Sequence, residues 1–165
     1  MDLQRAAADP RELRRALGRF ATGITVVTTR AGGKLEGLTA NSFSSVSLDP
    51  PLVLWSLREQ AASLPGFMES GWFAVNVLGS HQHHLSHHFA AEQTDKFAGI
   101  AWGAGLGGCP VLAESLACFE CSVFNRVPAG DHVIFIGKVE RLTHRDGEPL
   151  LFSSGEYCVP ARLDP

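Results

Sequence analysis

Residues Gly37 to Leu54 read GLTANSFSSVSLDPPLVL, and the fold turns on how this stretch is read. Thr39, Asn41, Ser42, Ser44, Ser45 and Ser47 crowd small hydroxyl and amide groups into one run, which breaks at Asp49-Pro50-Pro51 and gives way to an apolar strand. A strand made only to pack a core is not composed this way. Small side chains let a flat polar ligand approach the main chain closely, and the hydroxyls and amides supply hydrogen-bond partners. A second signal stands far downstream, where Gly130-Asp131-His132 directly precedes the apolar run Val133-Ile134-Phe135-Ile136-Gly137.

Working outward, Ile24 to Thr29 and the run from Leu35 flank Ala31-Gly32-Gly33-Lys34, a hairpin signature with Gly-Gly at the turn between β-branched segments. Further strands are expected at Leu52–Leu57, Trp72–Leu78, Leu116–Val127, His132–Thr143 and Leu150–Phe152. Helices are expected near Ala61–Glu69, made irregular by Pro65, and near Ser80–Ala91. A short amphipathic helix after Pro10 carries Leu13, Leu17 and Phe20 on one face, which the pattern assigns to packing on the sheet surface. Many strands with few helices and no βα alternation predict a mainly β fold, an antiparallel barrel rather than a parallel sheet.

The chain has 165 residues, 45% of them apolar, which suits one domain with a substantial core. No linker, charge block or internal repeat divides it. Fourteen basic against seventeen acidic residues give a formal charge of −3, without the basic excess that a phosphate backbone demands, so nucleic acid is not an expected partner. The N-terminus lacks an apolar leader, and no apolar run approaches the roughly 18 residues that span a bilayer. A cytoplasmic protein without membrane association is expected, with Cys109, Cys118, Cys121 and Cys158 reduced. Cys118 and Cys121 form a CxxC, but in a strand that spacing sends the two thiols to opposite faces.

Two motifs have plainer readings than their patterns. Gly103 to Gly108 fits GxGxxG, yet Cys109-Pro110 follows at once where a dinucleotide fingerprint needs an opening helix, so a loop is expected. His81, His83, His84, His87 and His88 include two i,i+4 pairs, His83/His87 and His84/His88, with no third carboxylate or thiolate ligand in the cluster. A polar helix face is expected there, and no metal centre.

The ordered motifs TGITVVTT (Thr22 to Thr29), GLTANSFSSVSLDPPLVL, WFAVNVL (Trp72 to Leu78), FAAEQTDKF (Phe89 to Phe97) and GDHVIFIG (Gly130 to Gly137) resemble the flavin reductase-like family over about Leu13 to Tyr157. The resemblance implies a split antiparallel β-barrel with a few flanking helices, a homodimer, and NADH- or NADPH-dependent reduction of FMN or FAD. Reduced flavin would pass by diffusion to a partner monooxygenase. Alternatives on the same fold are an electron-transfer protein with tightly bound flavin and a non-catalytic flavin-binding barrel. The resemblance further implies that Thr39, Ala40, Asn41, Ser42 and Phe43 form the turn against the flavin ring. Ser45, Ser47, Ser56 and Ser63 become candidates for its ribityl chain and phosphate, Lys96 and Phe97 stand near the phosphate, and Tyr157 borders the nicotinamide. His132, placed by Gly130 and Asp131 at the start of a strand, is the catalytic candidate: it can hydrogen-bond the nicotinamide or the reacting edge as charge develops.

Overall fold

The structure, a computed structural model, describes residues 9–163. The extreme N-terminus, on which the missing leader was read, lies outside them. Helix α1 (Pro10–Leu17) is followed by β1 (Thr22–Gly23), β2 (Thr25–Ala31), β3 (Lys34–Ala40), β4 (Ser44–Leu48) and β5 (Pro51–Arg58). Then come α2 (Leu64–Glu69), β6 (Trp72–Val77), a 3₁₀ turn (Ser80–Gln82) and α3 (His83–Ala90). The hairpin β7 (Trp102–Ala104) and β8 (Pro110–Leu112) precedes the long strands β9 (Ala117–Ala129) and β10 (His132–His144), and β11 (Leu151–Ser153) and β12 (Glu156–Cys158) close the chain.

Seven strands form one antiparallel sheet in the order β3-β2-β6-β9-β10-β5-β4. Its two edges, β3 and β4, are consecutive in the chain, and only Asn41-Ser42-Phe43 joins them. The sheet must therefore curl until its edges approach, and it stays unlaced where they meet: a split barrel. The turn is fastened across this seam by Ser42, whose Oγ accepts from Ser56 N at 2.9 Å and donates to Ser56 O at 3.3 Å.

Alternation in β5 (Val53, Trp55, Leu57) and β10 (Val133, Phe135) sends apolar side chains inward. There Trp55 stacks on Phe135 at 5.0 Å and meets Phe67 and Phe73 edge-on at 4.9 and 5.9 Å. Phe67 comes from α2, which plugs one end of the barrel; Arg126 of β9 holds the end of that helix by donating to Ser70 O at 2.6 Å. A second layer lies outside the sheet, where Ile24, Val26 and Leu78 pack against Leu85 and Phe89 of α3, with Phe97, Leu112 and Leu150. Strand β2 is buried on both faces, so its threonines need acceptors: Thr25 donates to Ala40 O at 2.7 Å and Thr29 to Trp72 O at 2.6 Å.

The Gly32-Gly33 turn joins β2 and β3 with φ of 55° and 81°, as a two-residue hairpin requires. Other expectations shift. Helix α2 begins three residues later than expected because Pro65 needs a position in the first turn. The polar run Ser44–Leu48 is itself an edge strand, and β7, β8 and β12 were not anticipated. The apolar face of α1 is not packed on the sheet: Leu13, Leu17 and Phe20 are 50%, 64% and 79% exposed, and the helix is moored at its end by Ser154 N donating to Gly18 O at 2.8 Å. Cys118 and Cys121 do face opposite ways, one against Ala74 and Cys109, the other into the barrel. Burial pushes both thiols up to about 12, so neither is a ready nucleophile. Among the described residues no helix is long and apolar enough to cross a membrane.

The Gly-rich segment forms the β7–β8 connection, and a carboxylate organises it. Glu120 accepts from Leu106 N at 2.7 Å and from Arg141 through both oxygens at 2.6 and 2.7 Å, while a Cβ at Gly105 would collide with Glu120 Oε2. Burial pushes the Glu120 carboxyl up, but the hydrogen bonds from Arg141 and Leu106 and the Arg141 charge outweigh it and hold the group below its ordinary 4.5. Because the folded value is depressed, this stabilisation is complete above pH ~4.5 and is lost as pH falls through the folded value. Glu120→Gln is expected to cost about 1.5–3 kcal/mol at neutral pH, the worth of hydrogen bonds to a charged group. In thermal melts from pH 7 to 3, the gap between wild type and variant should close on the acid side; a constant gap would contradict the assignment.

Candidate functional site

A groove of about 500 Å³ opens along the seam. The end of β3 and the following turn supply Leu38, Thr39, Ala40, Asn41 and Ser42; β5 supplies Ser56, Leu57 and Arg58; Ala61 and Ser63 precede α2; Phe89 and Ala90 end α3; Lys96 and His132 complete the lining. A hydrogen-bonding floor arises here because the edge strands do not pair with each other, leaving main-chain and small polar groups facing outward. Ser63 and Lys96 also line a second cavity of about 480 Å³, with Lys34, Glu36, Gly37, Glu92 and Thr94, so the two spaces adjoin.

His132 is half-buried at the start of β10, in register with Arg58 of β5. Its Nδ1 lies 2.7 Å from Asp131 Oδ1, and the bond from the imidazole holds the Asp131 carboxyl below its ordinary value. A carboxylate only accepts, so Nδ1 carries the hydrogen, and Nε2 is left for another partner, accepting from the neutral ring and donating from the charged one.

Of the sequence candidates, Thr39, Ala40, Asn41, Ser42, Ser56, Ser63, Lys96 and His132 meet at this groove. Thr39 Oγ1 is engaged, donating to Ser86 O at 2.6 Å, and Ser42 is committed to Ser56, whereas Asn41 is exposed at the turn. Five candidates are absent from the lining. Phe43 turns inward and stacks on Phe119 at 5.4 Å. Ser45 and Ser47 lie beyond the turn on β4, a register bulge between them. Phe97 is core, edge-on to Phe89 at 5.2 Å. Tyr157 sits behind α3, its hydroxyl 2.7 Å from Ser86 Oγ.

Lys96 does more than face solvent. Its Nζ donates to Gly37 O at 3.0 Å and to Phe89 O at 2.8 Å, joining β3 to the last turn of α3, and its burial lowers the ammonium below the ordinary lysine value. An ammonium has three donors, so one N–H remains for an anionic ligand. Gly37 is small for a reason other than ligand approach: a Cβ there would lie 2.9 Å from Phe97 Cζ and 3.0 Å from the Phe89 ring. The lining also takes in Arg58, one of four arginines (with Arg126, Arg141 and Arg162) that the sequence offers, without a place, as partners for a 2′-phosphate, and Leu38, Leu57, Ala61, Phe89 and Ala90, which sequence reasoning did not single out for the site. The signal for Arg58 is the pairing of β5 with β10, which sets it opposite His132.

Asn41 tests the turn. Asn41→Leu replaces an exposed amide with an apolar group of similar size, so stability should change by less than about 0.5 kcal/mol. Flavin affinity should fall by about 1–3 kcal/mol if the amide pairs with the ring. Fluorescence-quenching titration against FMN measures this, and an unchanged dissociation constant with a large loss of Tm would make the residue structural.

Comparison with known proteins agrees with this architecture. The flavin reductase like domain matches residues 17–161, and the chain belongs to that family. It is 46% identical over 147 residues to the FMN reductase (NADH) SmoA of Agrobacterium fabrum, covering 89% of this chain and 84% of that protein. It is 41% identical to the flavin-dependent monooxygenase reductase subunit HsaB of Rhodococcus jostii, covering 92% and 78%. The NADH:FAD oxidoreductase SgcE6 of Streptomyces globisporus superposes with a TM-score of 0.88 at 38% identity, covering 96% and 95%. The chain spans only 49% of the length of a probable flavin reductase of Rhizobium meliloti, to which it is 46% identical.

Proposed function

We propose that this chain acts as a single flavin reductase domain, oxidising NADH and reducing FMN or FAD, which then leaves by diffusion for a partner monooxygenase. The observation that carries this reading is the seam groove, with a polar turn on one side, Lys96 on another and His132 at its mouth. Its donor set suits a flavin: main chain and Asn41 toward the ring, Ser56 and Ser63 toward the ribityl chain, and the third Lys96 N–H toward the phosphate. The adjoining cavity, beyond the end of the groove where the phosphate is placed, offers space for the adenosine of FAD. When bound, the flavin supplies the hydride acceptor; the protein holds it, keeps one face open, and offers His132 Nε2 to the nicotinamide or the reacting edge. Relatives named as NADH reductases favour NADH, and Arg58 is the basic group in the lining that would meet a 2′-phosphate were NADPH used. A homodimer fits the exposed Leu13, Leu17 and Phe20 and the unpaired edge of β4, and a cytoplasmic site fits the reduced thiols.

The contacts proposed are hydroxyls, amides and one Lys, all non-covalent, so flavin is expected to behave as a dissociable substrate of roughly micromolar affinity, about −8 kcal/mol. Dialysis should strip it. NADH oxidation should then depend hyperbolically on added FMN or FAD, and an oxygenase separated by a membrane permeable to flavin should still be served. Stoichiometric flavin that survives dialysis, with turnover indifferent to added flavin, would support the electron-carrier alternative.

A further inference from the structure

The histidine-rich helix α3 offers two i,i+4 imidazole pairs, and the structure separates them. In one, His88 Nε2 lies 2.6 Å from Lys96 O, a carbonyl that can only accept, so this nitrogen carries a hydrogen; Gln93 Nε2 approaches its Nδ1 at 3.4 Å. Both ring nitrogens of His88 are occupied, and His84 has no free partner four residues on. In the other pair, the exposed His83 and His87 bring Nε2 to within 3.1 Å of Nε2. Tyr157 backs both rings edge-on, at 4.4 and 5.0 Å between centroids, and is itself fixed by its hydroxyl contact with Ser86 at 2.7 Å. The two imidazoles are thus held convergent by β12 before any ligand arrives, which removes much of the ordering cost of binding.

We propose that His83 Nε2 and His87 Nε2 chelate one divalent transition-metal ion on the outer face of α3, apart from the flavin groove. With metal–nitrogen bonds of roughly 2.0–2.1 Å, a 3.1 Å separation gives an N–metal–N angle of about 100°, between the tetrahedral and square-planar values. Imidazole donors select borderline ions, with Cu²⁺ ahead of Ni²⁺ and Zn²⁺. Without metal, one ring donates Nε2–H to the other's lone pair. On binding, the donor ring moves its hydrogen to Nδ1 by exchange with water, so that both Nε2 lone pairs face the ion and no net proton is released. Among the described residues no set of three His, Cys, Asp or Glu groups comes together, so water completes the coordination and the site is open to exchange.

The test uses the full chain without an affinity tag, with Cu²⁺ as the probe. Electron paramagnetic resonance at one equivalent of Cu²⁺ should show coupling to two imidazole nitrogens, and calorimetry with Zn²⁺ should give one site per chain. His83→Ala and His87→Ala should each remove the two-nitrogen signal, and His83→Gln should do the same if alanine perturbs the helix. His81→Ala and His84→Ala should keep it. Binding unchanged in both the His83 and His87 variants, or equal loss in the His84 variant, would overturn the proposal and leave adventitious surface binding only. Flavin reductase activity of the metal-free protein is independent of this readout.

Discussion

His132→Ala is expected to lower kcat for flavin reduction by roughly 10- to 1000-fold, the range for loss of a positioning or charge-stabilising group rather than a nucleophile. The ring is half-buried, makes its one side-chain bond to the exposed Asp131, and lies outside the aromatic core, so the fold should survive. Flavin affinity should change little, because Asn41, the serines and Lys96 remain. Asp131→Asn should have a smaller effect: an exposed carboxylate orients the imidazole weakly, and the Nδ1 hydrogen can pass to water. Stopped-flow reduction under anaerobic conditions, with NADH and saturating flavin, separates the chemical step from release. Wild-type rates in His132→Ala with both NADH and NADPH would remove the residue from the site.

Gly37→Val is expected to damage stability and the groove together. The added Cβ would sit against the rings of Phe97 and Phe89, both buried and unable to retreat, and overpacking of this kind costs about 3 kcal/mol. For a chain of this length that is a fall in Tm of roughly 6–12 °C. Phe89 and Lys96 also line the groove, and Lys96 is anchored on Gly37 O, so pushing α3 away should weaken flavin binding at least about tenfold, or 1.4 kcal/mol. A double-mutant cycle identifies the cause. Phe97→Ala alone leaves a void and destabilises, but combined with Gly37→Val it should cost clearly less than the sum, because each change relieves the other. Strict additivity would mean that the two residues do not press on each other.

The barrel was legible where burial and period agree. Val53, Trp55 and Leu57 alternate, and so do Val133 and Phe135, and these strands emerged close to expectation. Strand β4 was obscured because Ser44 to Leu48 is an exposed edge, where side chains are not chosen for a core; it is a strand by virtue of its partner β5. The same logic hid β7, β8 and β12, each three residues long and defined by pairing rather than composition. Helix α1 carried a true amphipathic pattern, yet a pattern states that a face seeks cover without saying what covers it. At the groove, the turn and His132 were legible as candidates because special residues stand at the ends of strands. The place of Arg58 was not, since it depends on a register across the sheet. Phe97 and Tyr157 lie outside the lining of the groove: Phe97 packs on its near neighbour Phe89 and against Gly37 of β3, while Tyr157 meets Ser86 from a distant part of the chain.

The unlaced seam has a consequence for how the molecule breathes. Every interior strand of the sheet is zipped on both sides, while β3 and β4 each have one free edge, and three residues with a single serine clasp bridge them. Opening of the barrel is therefore cheapest along the free edges of β3 and β4 and dearest in the middle of the β9–β10 pairing. Amide hydrogens around Asn41 to Ser45 would exchange first and those in the middle of β10 last. A molecule held in the groove would bridge the two free edges and stabilise the closed cylinder, so exchange around Asn41 to Ser45 would slow as the groove fills.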